Sequence, residues 1–140
     1  MSIAAHSEPH EIAEAANALA TMYIKYDGDF ENGLKFHKVA HEHGHIESSL
    51  FIAEYFRDVL KDVTAMEQVY LSIMISYPDH NKGIAANELA HFYDGKDNER
   101  ALLYYKIADT FGYSGAKHSI LRLQHGYSPM VDDEHGYYPS

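Results

Sequence analysis

Residues 85–93 read AANELAHFY and residues 15–23 read AANALATMY: Ala, Ala, Asn, Leu, Ala and Tyr recur in register at an offset of 70. Agreement this dense marks an internal repeat, and a repeat governs how every other motif is read. The segments that follow correspond as well. GLKFHKVAHEHG (33–44) and ALLYYKIADTFG (101–112) share Leu, Lys, Ala and Gly, and they pair Phe with Tyr and Val with Ile. Each unit therefore has two parts. An offset of 70 is too long for one helical hairpin, so a degenerate copy is expected in between, SSLFIAEYF (48–56) followed by AMEQVYLSIMIS (65–76). The landmark apolar positions become Leu19, Ile52, Leu89 and Ile120, spaced 33, 37 and 31.

Each part is helical by pattern. Leu19, Met22, Tyr23 and Tyr26 recur at three- and four-residue steps, as do Leu34, Phe36, His37, Val39 and Ala40 across a wider face. Gly28, Gly44, Gly95 and Gly112 stand where helices should end, and Asp29, Asp62, Asp97 and Ser114 where they should begin, offering oxygens to unpaired backbone N–H groups. Seven helices are predicted, near 9–26, 30–43, 46–59, 62–77, 82–93, 98–111 and 114–125. Small residues after each landmark (Ala20, Ala53, Ala90) and on the second helices (Ala40, Ala108) let the backbones approach, while Tyr and Leu fill the flanks. A single hairpin cannot bury its apolar stripe; stacking on the next one completes the core. The fold expected is all-α, an α/α superhelical solenoid of about three helical hairpins plus a C-terminal capping helix. It covers 1–125, with an acidic, Tyr-containing tail over 126–140.

The pattern A-x-x-x-L-A-x-x-Y, a turn, then A-L-x-Y-Y-K-x-A-x-x-x-G resembles the Sel-one-like repeats, a branch of the tetratricopeptide repeat superfamily. Residues 85–112 match best, 15–44 well and 48–76 poorly, and 116–123 look like the first helix of a truncated fourth repeat. Ala follows the landmark leucine where that family usually has Gly, and Ser72 and Ser76 replace the Ala and Gly of the second repeat. The resemblance implies a non-catalytic adaptor or scaffold that binds a protein or peptide through a concave groove lined by the first helix of each hairpin.

In such an array the groove would be lined by Glu14, Asn17, Thr21 and Ile24 around Leu19; by Glu47, Leu50, Glu54 and Arg57 around Ile52; by Ile84, Asn87, His91 and Asp94 around Leu89; and by Gly115, His118, Arg122 and His125 around Ile120. Asn17 and Asn87 repeat, and an asparagine facing a groove can hold an extended peptide backbone through its amide. Its alternative role is a bond to the adjoining helix. Glu14, Glu47, Glu54 and Asp94 make the lining acidic, with Arg57 and Arg122 as isolated cations, so a carboxylate-gripping clamp is disfavoured and a basic or neutral polar partner expected. Ile24, Leu50 and Ile84, as exposed apolar groove positions, offer the alternative of self-assembly, for instance a homodimer.

Four of 11 histidines fall at 37, 41, 43 and 45. His37 and His41 have the i, i+4 spacing of a shared metal ligand pair, and His45 lies just past the turn. Against this, His37 takes the packing position of Tyr105, and no general base stands between the histidines. A metal site is thus a weak candidate at His37, His41 and His45, and a pH-sensitive surface the stronger alternative, because imidazoles protonate between about pH 5 and 7. No cofactor is expected, and no nucleophile elbow, phosphate loop, zincin motif or dinucleotide fingerprint points to an enzyme.

Over 140 residues, 21 Asp and Glu against 11 Lys and Arg give a formal net charge of -10, which repels nucleic acid and anionic membranes. Hydrophobic residues at 46% and charged at 23% fit one packed domain. No apolar run reaches the roughly 20 residues a membrane helix needs, and MSIAAHSEPHEIAEAA has no export leader, so a cytoplasmic location is expected. The absence of cysteine excludes disulfides and thiolate chemistry.

Overall fold

A computed structural model describes residues 8–126. Among them lie seven helices and no strand: α1 (Pro9–Asp27), α2 (Phe30–Glu42), α3 (Ile46–Asp58), α4 (Val63–Ser76), α5 (Asp79–Tyr93), α6 (Asn98–Thr110) and α7 (Ala116–His125). The protein is all-α, and it divides into two compact units that meet in sequence at Ile73 and Met74. In unit 1, α1 packs on α2 and α2 on α3; in unit 2, α5 packs on α6 and α6 on α7. Neighbours in sequence are thus neighbours in space within each unit, as a solenoid of helical hairpins requires.

The two units share a set of buried small residues in register. Ala16, Ala20 and Ala40 are fully buried in unit 1, as are their counterparts Ala86, Ala90 and Ala108 in unit 2. Without bulky side chains between them, the paired helices can approach closely. An aromatic pair flanks each of these seams. Tyr23 stacks on Phe36 with centroids 5.5 Å apart, and the equivalent Tyr93 stacks on Tyr104 at 6.1 Å.

The ends of the second helix are also duplicated. Asp29 caps α2 by accepting from the Asn32 N–H at 3.1 Å, and Asp97 caps α6 by accepting from the Arg100 N–H at 3.2 Å. At the other end Gly44 and Gly112 both adopt φ of 86°, which only glycine takes without strain. The next residue then closes the turn, His45 N–H donating to Ala40 O at 3.0 Å and Tyr113 N–H to Ala108 O at 2.9 Å.

Three expectations need correction. The hairpin of α3 with α4 lacks the close backbone approach of the other pairs, because the buried face of α4 carries Met66, Val69, Tyr70 and Ile73 in place of alanine. Helix α5 starts at Asp79 rather than 82, since Pro78 occupies the cap position and its ring presets the backbone for a helix start. Helix α7 starts at Ala116, with Gly115 and not Ser114 at its cap. The tail expected over 126–140 lies outside the described residues from 127 onward.

Candidate functional site

The polar side chains singled out by the repeat fall into two groups, one inside the units and one on their surface. In unit 1 the inner group is built around two histidines of α2. His37 is 5% exposed and its Nδ1 lies 2.9 Å from Ser48 Oγ on α3. Ser48 in turn donates its hydroxyl proton to Asn17 Oδ1 on α1, at 2.9 Å. One hydroxyl has one proton, so His37 must donate through Nδ1–H, which fixes its neutral tautomer. The ring lies against Phe51, centroids 4.2 Å apart. Burial, aided by repulsion from His45, pushes the His37 pKa down to about 4.

His41, one turn along α2, sits between two serines. Its Nδ1 meets Ser49 Oγ on α3 and its Nε2 lies 3.2 Å from Ser72 Oγ on α4. Those serines also reach backbone carbonyls, Ser49 that of His45 at 3.0 Å and Ser72 that of Val69 at 2.7 Å. Burial lowers the His41 pKa against a smaller opposing pull from Glu42. His45 caps α3: its Nδ1 accepts from the Ser48 N–H at 3.3 Å, which leaves Nε2–H facing Glu14 Oε1 at 3.6 Å and Glu47 Oε1 at 3.9 Å. The Nδ1 atoms of all three candidate ligands are thus engaged by serines of α3, those of His37 and His45 both by Ser48. Among the described residues, no group of three or more His, Cys, Asp or Glu is placed to hold a metal ion.

The surface group begins at the same point. His45, Glu14 and Glu47 line a cleft of about 320 Å³ with His10 and His43. Glu14, Glu47 and Glu54 are exposed, and so is Thr21, whose hydroxyl donates to Asn17 O at 2.9 Å. Arg57 is half-buried and folds onto Asp58, with Nε to Oδ1 at 2.7 Å, so much of its charge is compensated. Ile24, Leu50 and Ile84, expected as exposed apolar groove positions, are half-buried. Ile24 shows why: its Cγ1 and Cδ1 occupy the space that a Cβ on Gly33 would fill.

In unit 2 the inner group is ionic. Asp94 accepts the Tyr105 hydroxyl at 2.8 Å and both terminal nitrogens of Arg122, which is 8% exposed. Arg122 and Tyr105 hold the Asp94 carboxyl below its usual range despite the opposing effect of burial. Burial and this carboxylate push the Tyr105 phenol up to about 12. Asn87 is also buried, at 5% exposure, while His91 is exposed and lies edge-on to the Tyr105 ring at 5.8 Å.

Asn17 and Arg122 are thus engaged by neighbouring helices, whereas Glu14, Thr21, Glu47, Glu54 and His91 are presented outward. Ser48, Ser49 and Ser72, which complete the inner network, carry no motif. The signal available was alignment, since Ser48 falls where unit 2 has the buried Ala116 and His37 where it has Tyr105. Among the described residues no helix is long and apolar enough to cross a membrane. No family model, curated protein or solved structure matches the chain.

Proposed function

We propose that the chain is a non-catalytic protein-binding module of the Sel-one-like, tetratricopeptide type, an adaptor that takes a basic or neutral polar segment of a partner protein along the acidic face formed by α1 and α3. The observation that carries this reading is the convergence of exposed Glu14 and Glu47 on His45 at the mouth of one cleft, with Glu54 exposed further along α3. Opposite charge speeds encounter and selects among partners more than it adds affinity. Proteins with this net charge are poor ligands for nucleic acid, and a cytoplasmic setting follows from the same reading.

The test is fluorescence anisotropy with a labelled Lys- and Arg-rich peptide against wild type and the Glu14→Gln/Glu47→Gln/Glu54→Gln variant at low and moderate salt. The expected result is saturable binding by wild type, weakened about tenfold in the variant and by added salt. Equal affinity in the two proteins would remove the acidic face from the interface. A second reading, a proton-responsive version of the same module, draws support from the burial of His37 and His41 beside that face.

A further inference from the structure

Unit 1 carries a second surface feature, of opposite chemistry. Phe30, Leu34, Tyr55 and Leu60 line a groove of about 470 Å³ between α2 and the end of α3, and Glu31, Lys35 and Lys38 complete its lining. Phe30 is 47% exposed and Leu60 52%, which is unusual for side chains of this size lying together. The wall is stiff. Phe30 stacks on Tyr55 at 6.3 Å, Tyr55 on Phe51 at 6.4 Å, and Phe51 on the buried His37, so a column of rings runs from the surface into the interior. A groove held in place this way loses little conformational freedom when it is filled.

Charge adds an independent indication. Lys35 and Lys38 are both exposed and, like several other lysines among the described residues, form no ion pair; what sets this pair apart is that both line the apolar groove. These two cationic residues outnumber the one carboxylate in the lining, Glu31. Nor does the repeat dictate this arrangement. At the equivalent positions of unit 2, Asn98 stands for Phe30, Leu103 for Lys35 and Leu123 for Tyr55, so the aromatic wall and one of the two cations are absent there.

We propose that this groove docks an acidic segment of a partner protein, an apolar or aromatic side chain entering between Phe30, Tyr55 and Leu60 while flanking carboxylates meet Lys35 and Lys38. The surface is separate from the acidic face of α1 and α3, and the module would hold two segments of opposite charge. Its test uses the full chain and a short labelled peptide with a central Leu-Phe pair flanked on both sides by Asp-Asp, followed by anisotropy. Wild type binds saturably. Lys35→Glu/Lys38→Glu, surface changes that leave the helical circular dichroism intact, weakens binding about tenfold or more, and Phe30→Ser does so by a similar factor. The Glu14→Gln/Glu47→Gln/Glu54→Gln protein binds as wild type does, which separates this site from the acidic face. The proposal is overturned by absence of saturable binding to wild type, by equal binding to the Lys35→Glu/Lys38→Glu protein, or by equal binding of a peptide whose Leu-Phe pair is replaced with Gly-Gly.

Discussion

Acid should loosen unit 1 through His37. Folded, this imidazole is neutral, enclosed by Ser48, Phe51 and the turn that bears His45, and its pKa is held at about 4. Unfolded, it takes up a proton near pH 6.5. As pH falls from about 6.5 to about 4, the unfolded chain binds a proton that the folded chain excludes, so stability declines across that window; outside it the imidazole contributes no further slope. One pKa unit corresponds to about 1.4 kcal/mol, so passing from pH 7.5 to pH 4.5 removes about 2.5 kcal/mol. His41, shifted in the same direction, adds to the loss.

The assay is urea unfolding followed by circular dichroism at both pH values, on wild type and on His37→Gln, whose amide can still meet Ser48 but does not titrate. The variant should be less stable at pH 7.5 by about 1–2 kcal/mol, from altered packing on Phe51, yet should lose less on acidification. Comparing slopes cancels the carboxylates common to both proteins. An identical loss in wild type and variant would refute the assignment of acid sensitivity to this imidazole.

Two further outcomes follow from packing and charge. Gly33→Ala should destabilise the protein by about 1–3 kcal/mol, because the new Cβ would lie 2.3 Å from Ile24 Cγ1 and 3.3 Å from Ala20 O; adding Ile24→Ala should return much of that loss in thermal unfolding. Arg122→Ala leaves the Asp94 carboxylate with only the Tyr105 hydroxyl and should cost about 2–3 kcal/mol in urea unfolding at pH 7, with Asp94→Asn/Arg122→Ala recovering part of it.

The repeat made much of the fold legible. Asp29 and Asp97 at one end, Gly44 and Gly112 at the other, fix α2 and α6 almost to the residue, since caps act locally and their chemistry is written in single side chains. The start of α5 is less legible because the apolar pattern begins a turn later than the helix, whose first residue follows Pro78. The site was harder to read for a different reason. Helical spacing tells which face Asn17 or Arg122 occupies but not whether that face meets solvent or another helix, and the answer depends on partners as inconspicuous as Ser48. Ile24 illustrates the same limit: one missing Cβ at Gly33 turns a nominally exposed isoleucine inward.

Helices α2 and α6 have the same length of 13 residues, begin behind the same aspartate cap and finish in the same left-handed glycine turn. Everything between those joints can therefore change without disturbing how the chain enters or leaves the helix. Segments 29–44 and 97–112 behave as interchangeable cassettes: a gene-level exchange or duplication with breakpoints at the two caps would preserve reading of the fold while replacing an imidazole interior with a phenolic one, or an aromatic groove with an aliphatic surface. New specificity in such a chain can arise by copying a whole insert, with no intermediate that lacks its helix ends.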